Sequence, residues 1–124
     1  MVERATWNIE ITNEYFDWFD SLTESQQDAV RADIEVLERL GPSLGRPFVD
    51  SIKGSIHSNL KELRTIHRRR HVRTFFAFDP RRTAILLIGG DKTGEKRFYE
   101  RLVPLADRLF DEYLREIRRE GLIP

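Results

Sequence analysis

Three strand-like runs separated by two turn signals constrain the fold more than any other part of the chain. Residues 60–66 alternate between two sides, residues 72–78 are rich in aromatic and β-branched side chains, and residues 83–88 are almost wholly apolar. The basic tetrad at 67–70 predicts a tight exposed turn, and the Asp-Pro-Arg-Arg sequence at 79–82 is typical of another. Because short turns join antiparallel neighbours, this stretch predicts a small antiparallel sheet, with its last strand buried on both faces.

Helical patterns precede this sheet. Residues 6–11 alternate as a strand, and Thr12 or Asn13 can then cap a short helix with an aromatic inner face (Tyr15, Phe16, Trp18, Phe19 and Leu22). Residues 23–26 fit a capping box, and the following helix carries one apolar stripe (Ala29, Val30, Ile34, Leu37 and Leu40). Gly41-Pro42 ends that helix. The pattern predicts a helical hairpin packed on one face of the sheet.

The rest of the chain predicts one more helix and two loops. Apolar residues recur at helical spacing from Leu105 to Ile117, and Pro104 suits the first turn of that helix, which leaves 96–103 as a separate turn or short helix. Residues 43–58 have no clean period and predict a loop, and Gly89-Gly90 is expected to end the apolar strand. We therefore expect an α+β fold forming one domain over residues 1–124, with a helical hairpin and a C-terminal helix packed on the sheet.

Charge is divided unevenly along a chain that is neutral overall. Residues 59–101 contain twelve Lys or Arg against five acids, whereas residues 1–40 contain three against ten. This asymmetry indicates one face that attracts anions and another that is acidic. The alternative is that the acidic helices only neutralise the basic sheet within the fold.

Several classes of site are not indicated by the sequence. There is no cysteine, no Gly-rich phosphate loop followed by Lys-Ser or Lys-Thr, and no zinc-like spacing among the three histidines, so neither cofactor nor metal is expected. Residues 1–10 lack the basic and apolar segments of a signal peptide, and the longest apolar run, 84–88, is too short to cross a bilayer. A cytoplasmic location is expected.

Cations from three segments are expected to converge. Arg64 and Arg73 lie on neighbouring predicted strands near the same turn, where antiparallel pairing can place them opposite each other. The loop that carries Lys92 can return over that end of the sheet, and Tyr99 adds a ring able to stack on a base. Converging guanidinium and ammonium groups favour a phosphate or RNA site, with further contacts from the flanking cations Lys61, Arg68, Arg69, Arg70, Lys96 and Arg97.

Such a site has some of the groups needed to cut RNA. Cleavage by the neighbouring 2′-OH requires a base for its proton, cations for the crowded phosphorane and an acid for the leaving 5′-oxygen. Glu62, His67 and His71 are the conventional acid–base candidates nearby. Glu62 can instead pair with Arg64 or Lys61, and the sequence does not decide which group is the base.

Several short motifs, in this order, resemble the HigB-like branch of the RelE/ParE toxin superfamily. That branch has an L-x-E-L-R strand, an R-x-x-[FY] strand and an apolar strand before a Lys-containing loop, matched here by residues 60–64, 73–76, 85–88 and 90–93. The resemblance implies a RelE-like fold, with Arg64, Arg73 and Lys92 in the catalytic set and Tyr99, or alternatively Phe98, at the position of a catalytic tyrosine. The basic tetrad departs from the pattern of this family, because it is expected to form a longer turn with added positive charge where some relatives have a tight turn.

The same resemblance implies a function. Such proteins are toxins of type II toxin–antitoxin pairs, held by an antitoxin that usually has a DNA-binding helix-turn-helix, and HigB-like members are metal-independent endonucleases that cut mRNA on the ribosome. Two other readings stay open: a non-catalytic inhibitor of DNA gyrase like the ParE branch, and a plain RNA-binding module.

Overall fold

The computed structural model describes residues 6–124, so half of the segment assessed for a signal peptide lies outside the described residues. A 3₁₀ turn at Gly41–Ser43 follows the second helix. The strands and helices are, in chain order, β1 Asn8–Ile11, α1 Asn13–Asp20, α2 Glu24–Leu40, β2 Val49–Ser51, β3 Lys61–His67, β4 Arg70–Phe78, β5 Thr83–Asp91 and α3 Phe98–Arg119.

The five strands form one sheet in the order β1-β5-β4-β3-β2. Strands β2 to β5 pair antiparallel, as the turn signals predict, but β1 pairs parallel to β5 at the edge, so the sheet is mixed. The helical hairpin α1–α2 packs on one face and α3 packs on the other. The predicted α+β architecture is confirmed, and the wholly antiparallel sheet is corrected.

Two cores form because the central strands send apolar side chains to both faces. Adjacent Phe75 and Phe76 on β4 are both fully buried and belong to opposite cores. The α3 core also contains Leu87, Phe98, Leu102, Ala106 and Phe110, and the hairpin core contains Tyr15, Leu37, Leu63 and Leu86. Burial on both faces explains why residues 83–88 read as a continuous apolar run.

The helix starts follow local sequence closely. Thr12 caps α1, its hydroxyl accepting the Tyr15 amide at 2.9 Å, and the predicted capping box of α2 is complete, with Thr23 and Gln26 bonding reciprocally. The predicted aromatic inner face of α1 is wrong in one place. Phe16 is 55% exposed and lines an open cavity beside β1 instead of the core.

Gly89 and Gly90 do not end the apolar strand, because β5 continues to Asp91. A Cβ built on Gly89 would lie 2.3 Å from the Trp18 ring, and one on Gly90 would lie 2.8 Å from Phe98. The two glycines therefore let aromatic rings from α1 and α3 pack directly on the backbone of the strand.

Only two residues of the basic tetrad form the turn. His67 and Arg70 pair with each other as the last and first residues of β3 and β4. Arg68 and Arg69 connect them with φ of 48° and 69°, the left-handed geometry that two-residue hairpins require. The expected longer turn is thus wrong, and the hairpin is as tight as it can be.

Two other expectations about element boundaries are corrected. The predicted 43–58 loop contains β2, which pairs with β3 through Val49–Leu63 and Ser51–Lys61. Pro104 lies inside α3 rather than in its first turn. Proline has no amide to bond the preceding turn, but the helix continues through it because Val103 and its neighbours are buried against the sheet.

A polar network ties the start of the chain to its end. The Tyr113 hydroxyl on α3 donates to Glu10 at 2.8 Å and lies 2.9 Å from Asp79, and the Arg81 guanidinium donates to that hydroxyl at 2.7 Å. Burial, and then the two carboxylates, raise the pKa of Tyr113. Among residues 6–124, no helix combines the length and apolarity that crossing a membrane would need.

Candidate active site

Glu62 is the centre of a buried polar cluster on the α3 face of the sheet. It is 3% exposed, and its carboxylate accepts the Tyr99 hydroxyl at 2.7 Å. Arg64 donates to the other carboxylate oxygen from Nη2 at 3.2 Å and from Nε at 3.3 Å, and Arg73 Nε lies 3.6 Å away as an ion pair. A buried carboxylate is tolerable only with such partners, and here it has three.

The strand register brings these side chains together. Arg64 and Arg73 are direct partners across the β3–β4 pair, as the sequence predicts. Glu62 lies two residues before Arg64 and therefore on the same face. The start of α3 places Tyr99 over this face, its ring stacked on Phe75 with centroids 6.0 Å apart.

Arg73 is held in a way that leaves one donor unused. Its side chain is 6% exposed, and Nη1 donates to the Val72 carbonyl at 3.2 Å. Nε is buried and has no hydrogen-bond partner among residues 6–124. A buried N–H without an acceptor costs about 1–3 kcal/mol, so this atom is an unsatisfied donor beside Glu62.

Tyr99, rather than Phe98, occupies the site. Phe98 is in the α3 core against Gly90, whereas Tyr99 contacts Glu62 and has the Lys92 ammonium 5.5 Å from its ring centroid. Burial and then Glu62 raise the pKa of Tyr99, while Arg73 acts in the opposite direction. The net shift keeps this phenol protonated at neutral pH.

A second carboxylate, that of Asp50 on β2, lies beside the cluster and was not predicted from the sequence. It accepts from Arg64 Nη2 at 3.2 Å and pairs with Arg46 at 3.1 Å, and the bond to Arg46 is the main cause of its lowered pKa. A cavity of about 350 Å³ opens between β2 and α3, lined by Asp50, Ser51, Ile52, Lys53, Glu62, Arg64 and Tyr99. No sequence signal marks Asp50, because its strand has only three residues.

The cavity gives an incoming group access to Glu62. The cluster combines a carboxylate with a protonated phenol and one guanidinium hydrogen-bonded to it, and a second guanidinium 3.6 Å away. This set can carry out acid–base chemistry on a bound anion such as a phosphodiester.

Other predicted site residues lie outside this cluster. His67 is on the opposite face of the sheet, where its ring contacts Ser25 at 3.3 Å, and Lys61 shares that face by alternation along β3. The ring of His67 is therefore not on the face of the sheet that carries Glu62. His71 is on the same face of the sheet as Glu62, two residues from Arg73, and its backbone forms hydrogen bonds with Lys92 and Thr93.

The flanking cations divide into exposed and paired groups. Arg68 and Arg69 are exposed at the hairpin tip, and Lys96 and Arg97 are exposed before α3. Arg70 instead pairs with Asp91 at 2.6 Å. Carboxylates near the basic stretch also neutralise Arg81 and Arg101, so its anion-attracting part is smaller than its composition indicates. Within residues 6–124, no group of three or more His, Asp or Glu side chains is arranged to hold a metal ion.

Comparisons with known proteins agree on one family. The family model described as "Phage derived protein Gp49-like (DUF891)" matches residues 17–111. Two relatives from Mycobacterium tuberculosis (strain ATCC 25618 / H37Rv) carry the names "Putative toxin HigB3" and "Putative toxin HigB2". The first is 45% identical over 98 residues, covering 78% of this chain and 84% of the relative. The second is 46% identical over 99 residues, and the match covers 78% of this chain but only 49% of that longer relative.

One solved structure supports the fold. The archaeal RelE–RelB complex from Pyrococcus horikoshii OT3 contains a chain matched with a TM-score of 0.54 and 17% identity, over 73% of this chain and 98% of that one. At that identity the match shows the fold alone, and the fold is RelE-like. The family model and the relatives confirm the HigB-like resemblance indicated by the motifs, and the chain therefore belongs to the Gp49-like family.

Proposed function

We propose that this protein is the toxin of a type II toxin–antitoxin pair and an endoribonuclease that cuts mRNA on the ribosome in the cytoplasm. The observation that carries the proposal is Glu62, a buried carboxylate held between Tyr99 and the guanidinium groups of Arg64 and Arg73 at the end of an open cavity. The names of the relatives and the RelE–RelB complex support a partner antitoxin, and we propose one with a helix-turn-helix DNA-binding domain.

The proposed reaction uses the 2′-OH of the substrate as nucleophile. Glu62 accepts the 2′-OH proton, the 2′-oxygen forms a bond to phosphorus, and the bond from phosphorus to the 5′-oxygen breaks. Tyr99 donates its proton to the leaving oxygen, so the products are a 2′,3′-cyclic phosphate and a 5′-OH end. The raised pKa of Tyr99 means that its proton is present when that step occurs.

The cations stabilise the charge that develops on the phosphate. The unused Nε of Arg73 supplies a hydrogen bond to a non-bridging oxygen, and Arg64 supplies others when it moves from its carboxylate partners. Lys92, whose ammonium lies 5.5 Å from the centroid of the Tyr99 ring, adds further positive charge. Removing one such donor from an acyl-transfer site typically lowers the rate about 10²–10³-fold, and we expect a similar effect here.

Mapping of RNA 5′ ends after brief induction tests the proposal, with translation active and with translation blocked. We compare the wild type with Tyr99→Phe, which keeps the ring on Phe75, and Arg73→Lys, which keeps the charge. Arg108→Ala is the control, because Arg108 is an exposed α3 residue paired only loosely with Glu112 at 3.7 Å. We expect translation-dependent cuts from the wild type and the control, and at least about a 10²-fold loss in the other two variants.

Other outcomes would separate the alternatives. Intact mRNA together with DNA damage signalling after induction would indicate a gyrase inhibitor and would refute the nuclease. Salt-dependent RNA binding without cuts or growth arrest would indicate a binding module. Folding of each variant is checked by circular dichroism, so that lost activity is not confused with lost structure.

A further inference from the structure

The outer edge of β1 is unpaired among residues 6–124. The amides of Asn8 and Thr12 donate to the carbonyls of Arg82 and Leu86, each at 3.1 Å, so alternate residues of β1 bond inward to β5. The backbone groups of Ile9 and Ile11 therefore point away from the sheet. An edge of this kind can accept another strand.

Each face of the sheet has a cavity beside this edge, and the two cavities differ in chemistry. On the α3 face, a groove of about 500 Å³ is lined by five glutamates and by no lysine or arginine (Glu10, Glu14, Glu112, Glu116 and Glu120). On the hairpin face, a cavity of about 180 Å³ is lined by Ile9, Ile11, Tyr15, Phe16, Phe19, Ile34 and Leu86, with Arg31 at its rim.

Apolar side chains next to the edge are exposed to solvent. Ile11 is 47% exposed and Phe16 is 55% exposed, and both line the smaller cavity. An exposed apolar patch with a polar rim is typical of a protein interaction surface. The patch is at the β1 edge of the sheet, whereas the candidate active site is near β2, at the other edge.

The two cavities specify the occupant, because side chains of an added strand alternate between the faces of the sheet. Residues that point to the α3 face would meet a groove whose charged lining residues are all glutamates, and those that point to the hairpin face would meet an apolar cavity. We infer that β1 is a docking edge for an extended segment of a partner protein in which basic and apolar side chains alternate. Main-chain bonds to Ile9 and Ile11 supply affinity, and the two cavities supply register and specificity. The inference does not depend on RNA cleavage.

A labelled peptide with the sequence Lys-Val-Lys-Ile-Lys-Val-Lys tests this surface on the full chain by fluorescence anisotropy. The control peptide has the same composition in blocks, Lys-Lys-Lys-Lys-Val-Ile-Val. We expect the alternating peptide to bind at least about tenfold more tightly, and to slow amide hydrogen exchange at Ile9 and Ile11. Equal binding of the two peptides would show that net charge alone explains the affinity, and it would overturn the inference.

Two pairs of variants separate the components of binding. Glu116→Lys reverses a charge in the groove, whereas Glu35→Lys makes the same change on an exposed part of α2 outside it. Ile11→Pro removes an outward amide that Ile11→Ala retains, and an edge strand tolerates proline there. We expect Glu116→Lys to weaken binding at least about fivefold more than Glu35→Lys, and Ile11→Pro about fivefold more than Ile11→Ala.

Two results from these variants would refute the docking edge. One is an equal loss of binding within each pair. The other is a wild-type dimer in sedimentation that Ile11→Pro converts to monomer, since a second copy of the chain would then be the occupant.

Discussion

Replacing Glu62 by glutamine should destabilise the protein through the charge that is left behind. Glutamine keeps the shape of the side chain, but its single carbonyl oxygen can replace only the acceptor of Tyr99 or the acceptor of Arg64. It removes the charge that faces Arg73, whose side chain is only 6% exposed. Glu62 is the one carboxylate among residues 6–124 that pairs with Arg73, so Arg73 would then be a buried cation without an ion-pair partner.

The size of the effect follows from the geometry. At the observed 3.6 Å separation between Arg73 Nε and Glu62 Oε2, the Coulomb attraction is about 4–5 kcal/mol at an effective dielectric constant of roughly 20. The amide dipole of glutamine and the Val72 carbonyl bonded to Arg73 retain part of this. We therefore expect Glu62→Gln to lower the free energy of unfolding by about 3 kcal/mol, or the melting temperature by roughly 10 °C.

A second substitution, at Arg73, should add almost no further loss of stability. Arg73→Met fills a similar volume without charge, and alone should cost about 2 kcal/mol, because Glu62 keeps Arg64 and Tyr99. In the double variant neither buried charge remains unpaired. We expect its total loss to be smaller than the sum of the single losses by about 2 kcal/mol.

Urea unfolding followed by circular dichroism gives these free energies, with a constant slope confirming the same transition in each variant. Additivity of the two single losses to within about 0.5 kcal/mol would refute a direct ion pair. RNA cleavage gives an independent readout. The double variant should be about as stable as Glu62→Gln alone and should not cleave RNA, because the proposed base and an anion-binding donor are both absent.

Three further predictions concern packing, ionisation and the hairpin tip. Gly89→Ala should lower the free energy of unfolding in urea by about 3 kcal/mol, because the new Cβ meets the Trp18 ring. Gly45→Ala is the control, since no atom lies within 4 Å of its new Cβ, and it should change stability by less than about 0.5 kcal/mol. Equal effects of the two substitutions would contradict the packing argument. The three tyrosines, Tyr15, Tyr99 and Tyr113, all have raised pKa values, so absorbance at 295 nm should show little tyrosinate in the folded protein up to about pH 10. The stability that these raised pKa values supply is complete below the unfolded pKa of about 10 and is lost as pH rises through the folded values, so ionisation should coincide with unfolding. A normal tyrosine titration of the native protein would refute this prediction. Replacing Arg68 by Asn and Arg69 by Gly should raise the free energy of unfolding by about 1–2 kcal/mol, since both positions have positive φ. The same change should reduce the salt dependence of RNA binding, and an unchanged salt dependence would show that the hairpin tip does not contact RNA.

Features determined by neighbouring residues were predictable from the sequence. The Thr12 and Thr23 caps depend on amides a few positions ahead, and the pairing of Arg64 with Arg73 follows from a hairpin whose turn lies between them. The RelE-like arrangement of elements followed from the order of these local signals.

Features determined by distant contacts were not predictable. Gly89 is normally a signal for a strand end, and only the arrival of Trp18 from another helix explains why the strand continues. Asp50 is in a strand too short to give a period. Glu62 alternates with apolar residues like a solvent-facing carboxylate, and its burial depends on Tyr99, which is 37 positions away.

The parallel pairing of β1 with β5 has a consequence for synthesis of the chain. Thr12, at the end of β1, bonds to the Leu87 carbonyl 75 positions later, and Glu10 bonds to Tyr113, 103 positions later. Because translation proceeds from the N-terminus, β1 emerges long before its partners exist, and closing so long a loop is a slow and late event. Tyr99 is also made after every strand of the sheet. A nascent chain therefore lacks the complete candidate site until Tyr99, at the start of α3, has been made.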